Sequence, residues 1–393
     1  MKSIDSVVIK SGYAMIVACF LALLINNSSW SSIYQSIENI PIVFNFGVNL
    51  IDKTFLVFVN EGLMALFFFL IGLEIKESYL EGPLRNPNKV LLPIFAAAGG
   101  MIVPALIYYF FNMNEPLYIK GWAIPMATDI AFSLAIYSMV NFDFPEELRM
   151  YLTTLAIVDD IGAVLVIGLF YTDYISFFWL TIAFGWFITL IFLKFKKIEN
   201  TSLYLLIGLF FWYAILFTGF HATLAGVIVA LFIPMKNRKG EEPLRNLIKK
   251  LLPWVYYLIL PVFAFMNCGV KFYDISTYEI LNNCSLGIFF GLFIGKPLGV
   301  MFFSWLSIKL GYVVLSKQVN WKMICGMGCL TGIGFTMSLF ITSISFENDL
   351  TTLMSARFGI LLASFFSGVM GYYLFSLCRR EKVNLSLSQL KSK

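Results

Sequence analysis

The chain has 393 residues, of which 59% are hydrophobic and 13% charged. A soluble domain carries roughly 25% charged and about 45–50% apolar residues, so this composition excludes an ordinary cytosolic enzyme, a disordered chain and a nucleic-acid binder. The formal net charge of +5 informs through its placement rather than its sum. One His excludes bis-His haem or a multi-His metal site built by this chain alone. The six Cys (Cys19, Cys268, Cys284, Cys325, Cys329 and Cys378) lie in or beside apolar runs without CxxC spacing. They read as small buried hydrophobes.

About 20 mainly apolar residues cross a hydrocarbon core as helix. The expectation is an all-α integral membrane protein with about twelve transmembrane helices in one transmembrane domain, 1–393. The stretches fall near 12–28, 55–80, 89–112, 119–140, 147–171, 174–195, 202–217, 221–234, 251–270, 284–308, 322–345 and 353–378. The seventh and eighth are short and joined by Thr218-Gly219-Phe220. The first follows Lys2 and Lys10 like a signal peptide, but no A-x-A site follows it, so it reads as uncleaved. With loops assigned to alternate sides, 23 of the 28 Lys and Arg fall on one side. Lys53, Lys120 and Lys271 fall on the other, and Lys296 and Arg357 lie inside spans. The excess of positive charge places that side, with both termini, in the cytoplasm.

Residues 41–53 alternate apolar side chains (Ile42, Phe44, Phe46, Val48, Leu50) around Asn45-Phe46-Gly47. They read equally as a short surface β-hairpin or as a plain loop.

Ionisable groups inside spans are costly and mark pathways. Here they are Glu61, Asp129, Asp159, Asp160, Lys296 and Arg357, with Glu74 and Lys76 near the cytoplasmic end of span two. Asp159-Asp160 sits in Leu155–Ala163, otherwise apolar. Two adjacent carboxylates there need bound protons, a bound cation or a Lys partner. Swapping among those states is cation/proton exchange. Successive helical positions diverge by about 100°, so the two Asp can face different partners. The bland alternative is a structural ion pair or an Asp-capped helix end.

Pro125 in Trp122–Phe132 disfavours helix at Ile124. A break there frees backbone groups that Thr128 and Asp129 can neutralise or cap. The alternative is a Pro-kinked helix with an N-cap Asp. Span eleven is weakened by Gly326, Gly328, Gly332 and Gly334. Gly-interrupted spans in corresponding halves of a transporter point to a binding site, although small residues also serve close packing. Lys296, in Gly295-Lys296-Pro297-Leu298-Gly299, needs a carboxylate or a broken-helix dipole. Snorkelling is weak for it, with about eleven mostly apolar residues on each side in a span of about 20. His221 begins span eight and reads as a helix-end residue before it reads as a sensor. The basic cluster in 235–250 reads as a topology determinant beside anionic lipid.

At these residues the chain resembles the NhaA-type sodium/proton antiporters. The matching stretches, in order, are Asn60–Lys76, Gly99–Leu106, Gly121–Leu134 with ATDIAF, Leu155–Thr172 with VDD, His221–Val227, Gly295–Gly299 and Gly332–Phe340. The resemblance implies inverted-topology repeats with two broken helices, spans four and eleven. It implies a core bundle near 89–171 and 284–378, an interface bundle near 12–80 and 174–270, and homodimers through the outer hairpin at 41–53. Asp159 and Asp160 would bind the cation and the protons, with Lys296 paired to Asp159 or compensating helix dipoles. Asp129 and Thr128 would sit where the broken segments cross, with Glu61, Glu74 and His221 in supporting positions. The implied activity is export of Na⁺ (or Li⁺) from the cytoplasm for external H⁺ across a bacterial inner membrane, without enzymatic chemistry or cofactor.

The sequence departs from the family's pattern at three places. Glu61 occupies a position usually Asp. Glu77 and Ser78 stand where a basic residue and Glu are usual, and the 235–250 loop lacks the usual His and Glu pattern. Those last two regions carry pH sensing in the family, so the activation pH does not transfer. The rival classes are a sodium-coupled solute symporter and an intramembrane aspartyl protease. The first lacks an additional polar cluster. The second needs Asp on two facing helices in YD and GxGD contexts, which do not occur.

Overall fold

The computed structural model describes residues 2–45, 50–85, 87–140, 142, 144–172, 174–271, 281–313, 315, 316 and 318–391. Among them, eight helices are long and apolar enough to cross a membrane: Val7–Asn26, Phe55–Leu80, Val90–Asn112, Glu146–Phe170, Phe177–Phe195, Pro243–Asn267, Asn283–Lys309 and Leu350–Arg380. Two helix pairs are bent at short breaks. Tyr118–Met126 and Ile130–Met139 meet at 45°, and Trp321–Thr331 and Phe335–Ser345 at 42°. Counting each pair as one span gives up to ten. The apolar helices Thr201–Leu216 and Thr223–Phe232 are shorter than the length a straight crossing needs.

The chain divides into two compact units. One comprises Met1–Val7, Ala14–Arg85 and Val164–Gly269; the other comprises Val8–Tyr13, Asn86–Ala163 and Val270–Lys393. In the first, Thr223–Phe232 packs along the helix that ends at Leu80. Gly226 permits this, since a Cβ there would run into the Ala65 carbonyl oxygen. In the second, the later part of Asn283–Lys309 packs along Pro87–Asn112. Gly99 and Gly299 face each other at that contact, and a Cβ on either would strike the other's carbonyl oxygen. Small residues let backbones approach where lipid supplies no hydrophobic drive between helices.

Strands Pro41–Asn45 and Leu50–Thr54 pair antiparallel, with Ile42 opposite Lys53. Residues 46–49 of the expected hairpin lie outside the described residues. The 235–250 stretch is not all loop, because helix begins at Pro243. Proline at the first helical turn loses no needed donor. Leu244, Ile248 and Leu252 then recur every four residues on a buried stripe, leaving Lys249 and Lys250 exposed.

Among the described residues, three helices widen into one π turn, at Val59–Leu63, Val255–Ile259 and Gly291–Gly295. The last two are followed closely by Pro261 and Pro297. Proline cannot donate to the carbonyl four residues back, and a widened turn absorbs that missing bond. The third turn ends immediately before Lys296 and so sets the direction of its side chain.

Candidate functional site

The break in the first bent pair falls later than Pro125 alone predicts. The 3₁₀ segment carries through Pro125 to Met126, because proline's fixed φ suits a 3₁₀ turn. The chain is then extended at Ala127 (φ −79°, ψ 150°) and Asp129 (φ −89°, ψ 102°). The second break spans 332–334, between two Gly. Each break frees carbonyls at the end of one half-helix and amides at the start of the next.

One carboxylate caps both new N-termini. Asp129 Oδ1 accepts the Phe132 N–H at 3.0 Å. Its Oδ2 accepts the Thr336 N–H at 3.1 Å and the Thr336 hydroxyl at 2.5 Å. The two extended segments also touch directly, since the Asp129 N–H donates to Ile333 O at 2.7 Å.

The carbonyl ends find donors as well. Ser133 Oγ lies 2.8 Å from Leu330 O, and Thr128 Oγ1 lies 2.9 Å from Thr331 O. Ser338 donates to Ile124 O at 2.7 Å, and the Lys296 ammonium donates to Met126 O. The anion therefore sits at helix starts and the cation at a helix end, as the helix dipole favours.

Lys296 also pairs with Asp159, Nζ to Oδ2 at 2.6 Å, with both side chains fully buried. Thr128 Oγ1 approaches the same Asp159 oxygen at 2.6 Å. A hydroxyl carries one proton, so Thr128 serves either Asp159 or Thr331 at a given moment. Asp159 Oδ1 is buried and has no hydrogen-bond partner among the described residues. Asp160 is also buried, one position on and about 100° round the helix.

Thus Asp159, Lys296, Thr128 and Asp129 come together around the crossing of the broken helices. Asp160 and Arg357 lie in the same unit, whereas Glu61, Glu74 and His221 belong to the other. Glu61 sits in a π turn, 3.5 Å from Lys53 Nζ. Glu74 is half-buried on Phe55–Leu80, and His221 is half-buried just before Thr223–Phe232. Nearby, Lys76 Nζ donates to Leu231 O at 2.8 Å and Ile233 O at 2.5 Å, closing the end of that helix. Arg245 bridges Glu77 at 2.7 Å, Glu81 at 2.8 Å and Glu242 at 3.1 Å, and Lys236 reaches Glu81 at 3.1 Å. The Lys236 hydrogen bond, reinforced by the positive charges of Lys236 and Arg245, holds the Glu81 carboxyl below the usual range.

Sequence reasoning missed Ser133, Thr336, Ser338 and the carbonyls of Met126 and Thr331. A signal was present for one of them, since Thr336 follows the Gly332–Gly334 break closely and offers a hydroxyl where backbone is freed.

A family model described as "Na+/H+ antiporter 1" matches residues 5–375. The chain belongs to this family. Relatives named Na(+)/H(+) antiporter NhaA agree over nearly the whole length. The protein from Proteus mirabilis (strain HI4320) is 42% identical over 368 residues, 93% of this chain and 94% of its own. That from Photorhabdus laumondii subsp. laumondii is 42% identical over 372 residues, 94% and 96%. That from Yersinia pestis is 44% identical over 378 residues, 95% and 96%. Its relatives are named for transport, so the family is one of multi-pass membrane transporters and not of enzymes.

Proposed function

We propose that this protein exports Na⁺ or Li⁺ from the cytoplasm in exchange for external H⁺, by competition at Asp159 and Asp160 with alternating access. The family membership supports Na⁺/H⁺ exchange. The observation that carries the site assignment is the dry Asp159–Lys296 pair at the crossing of two broken helices. A hard cation seeks oxygen ligands. This reading assigns Asp159, whose Oδ1 is buried without a partner among the described residues, together with Asp160 and Thr128 Oγ1 as those ligands.

A cation entering from the cytoplasm displaces protons from the Asp pair and loosens Asp159 from Lys296. After the loaded site turns outward, the cation leaves and external protons rebind to the pair; facing the cytoplasm again the pair gives up those protons, and Lys296 holds the bare Asp159 until the next cation arrives. The protonation steps belong to the pair rather than to either Asp. Two protons inward for one Na⁺ outward move one charge. That is worth about 2.3 kcal/mol per 100 mV, so an inside-negative potential drives sodium out.

The same reading assigns twelve spans, with Thr201–Leu216 and Thr223–Phe232 counted as short spans, arranged as inverted repeats. It takes the unit holding Asp159 as the moving core and the other as the dimer-forming interface bundle. It sets both termini in the cytoplasm of a bacterial inner membrane. The paired strands Pro41–Asn45 and Leu50–Thr54 serve a homodimer at the outer surface, and the basic 235–250 stretch meets anionic lipid.

The test is Na⁺-dependent proton flux in proteoliposomes. Wild type exchanges, and exchange quickens when an imposed inside-negative potential aids it. Asp160→Asn loses exchange; wild-type exchange by that variant would falsify the assignment.

A further inference from the structure

The helices carrying Asp159 and Lys296 meet a second time. Tyr151 lies eight residues before Asp159 on Glu146–Phe170, and Ser304 eight residues after Lys296 on Asn283–Lys309. Eight helical residues span about 12 Å. At that level the Tyr151 hydroxyl and Ser304 Oγ are 3.2 Å apart, and either can donate. Both side chains are buried.

Packing does not hold Tyr151 on every flank. A cavity of about 220 Å³ adjoins it, lined also by Leu92, Pro93, Glu147, Val313 and Val319. A side chain beside a void lacks contacts on that side, so the hydroxyl contact carries more of the restraint on Tyr151 there.

We propose that the Tyr151–Ser304 hydrogen bond is a positioning strut that holds Asp159 within reach of Lys296 while the ion pair is open. This rests on the antiport reading above. The ion pair must separate each time Asp159 takes a cation or a proton. A bond between two neutral hydroxyls does not compete for either ion, so it persists through that step. With the strut in place, Lys296 competes with the cation for Asp159. Without it, Lys296 competes less well, so the cation binds more tightly and leaves more slowly. Tyr151 and Ser304 act through Asp159 and Lys296 and touch no ion themselves.

The experiment compares wild type, Tyr151→Phe, Ser304→Ala, the double variant and Ser304→Thr in proteoliposomes, at equal amounts of folded protein. Tyr151→Phe and Ser304→Ala should each lower the KM for Na⁺ by roughly threefold or more, the scale of one neutral hydrogen bond, with a lower maximal rate. The double variant should go no further than either single one. Ser304→Thr keeps the hydroxyl and should keep the wild-type KM. An unchanged KM with only a lower maximal rate overturns the strut, and so do additive effects. Amide hydrogen exchange over residues 148–158 gives a readout independent of transport. Faster exchange in Tyr151→Phe than in wild type supports the strut, and equal rates overturn it. If wild type exchanges no Na⁺ for H⁺, the antiport reading falls while this second readout still decides the strut.

Discussion

Asp159 and Lys296 form one ion pair with fully buried side chains, whereas Arg245 holds three carboxylates with every side chain about a third exposed. The chemistry is the same and the surroundings are opposite. Water and salt screen the Arg245 cluster, so its members are worth little individually. The Asp159–Lys296 pair has no such screening. Desolvation offsets much of its attraction, and removing one partner strands the other in a dry site. A pair of that kind is poor glue, because the carboxylate left when Lys296 is removed cannot remain bare.

Lys296→Ala should be the largest break in this comparison. It leaves Asp159 and the Met126 carbonyl without their cation and should cost about 3–5 kcal/mol if Asp159 stays charged. A thermal melt of the purified protein should show it, with Lys296→Arg much closer to wild type. Asp129→Ala comes next. It uncaps Ile130–Met139 and Phe335–Ser345 together, and with caps worth about 1 kcal/mol each it should cost about 2 kcal/mol in the same melt. A loss no greater than that of a single-cap variant such as Asp349→Ala would mean that the two helix starts do not share Asp129. Asp349 is the natural control, since it accepts from the Thr351 and Thr352 amides at the start of Leu350–Lys391.

Arg245→Gln should cost less than about 1 kcal/mol, and the loss should shrink further in high salt. A loss as large as that of Lys296→Ala, insensitive to salt, would erase the contrast between wet and dry clusters. Acid should sharpen it most gently. Because Glu81 is held below its ordinary range, it contributes stability that is present above the usual carboxylate pKa and lost as pH falls through its lowered value. Melting temperature against pH should therefore decline on the acid side of about 4.3, and Lys236→Gln should flatten that decline.

Much of the architecture was legible in the order of residues. The apolar runs matched the eight long helices in place, and Pro125 together with Gly332 and Gly334 announced the two bent pairs. The first break was read too early because proline was treated as a helix stop, while a 3₁₀ turn accepts it. The helix beginning at Pro243 was hidden by its own charges: Lys249 and Lys250 dominate the composition while Leu244, Ile248 and Leu252 supply the stripe. The π turns left no readable mark beyond the prolines that follow two of them. Of the site, the ionisable residues stood out because charge in an apolar run is conspicuous. The hydroxyls and carbonyls that complete it did not, because Ser, Thr and backbone oxygen are commonplace in such helices.

Sequence alone determined what must be buried in the bilayer and which few charges go with it, since hydrophobicity is a property of each stretch by itself. Tertiary structure decided which of those charges meet. Lys296 reaches Asp159 across 137 residues of chain, and Thr336 reaches Asp129 across 207. No local pattern encodes those meetings. They follow from two interrupted helices crossing closely enough that one carboxylate caps both and one ammonium joins a helix end to a buried acid.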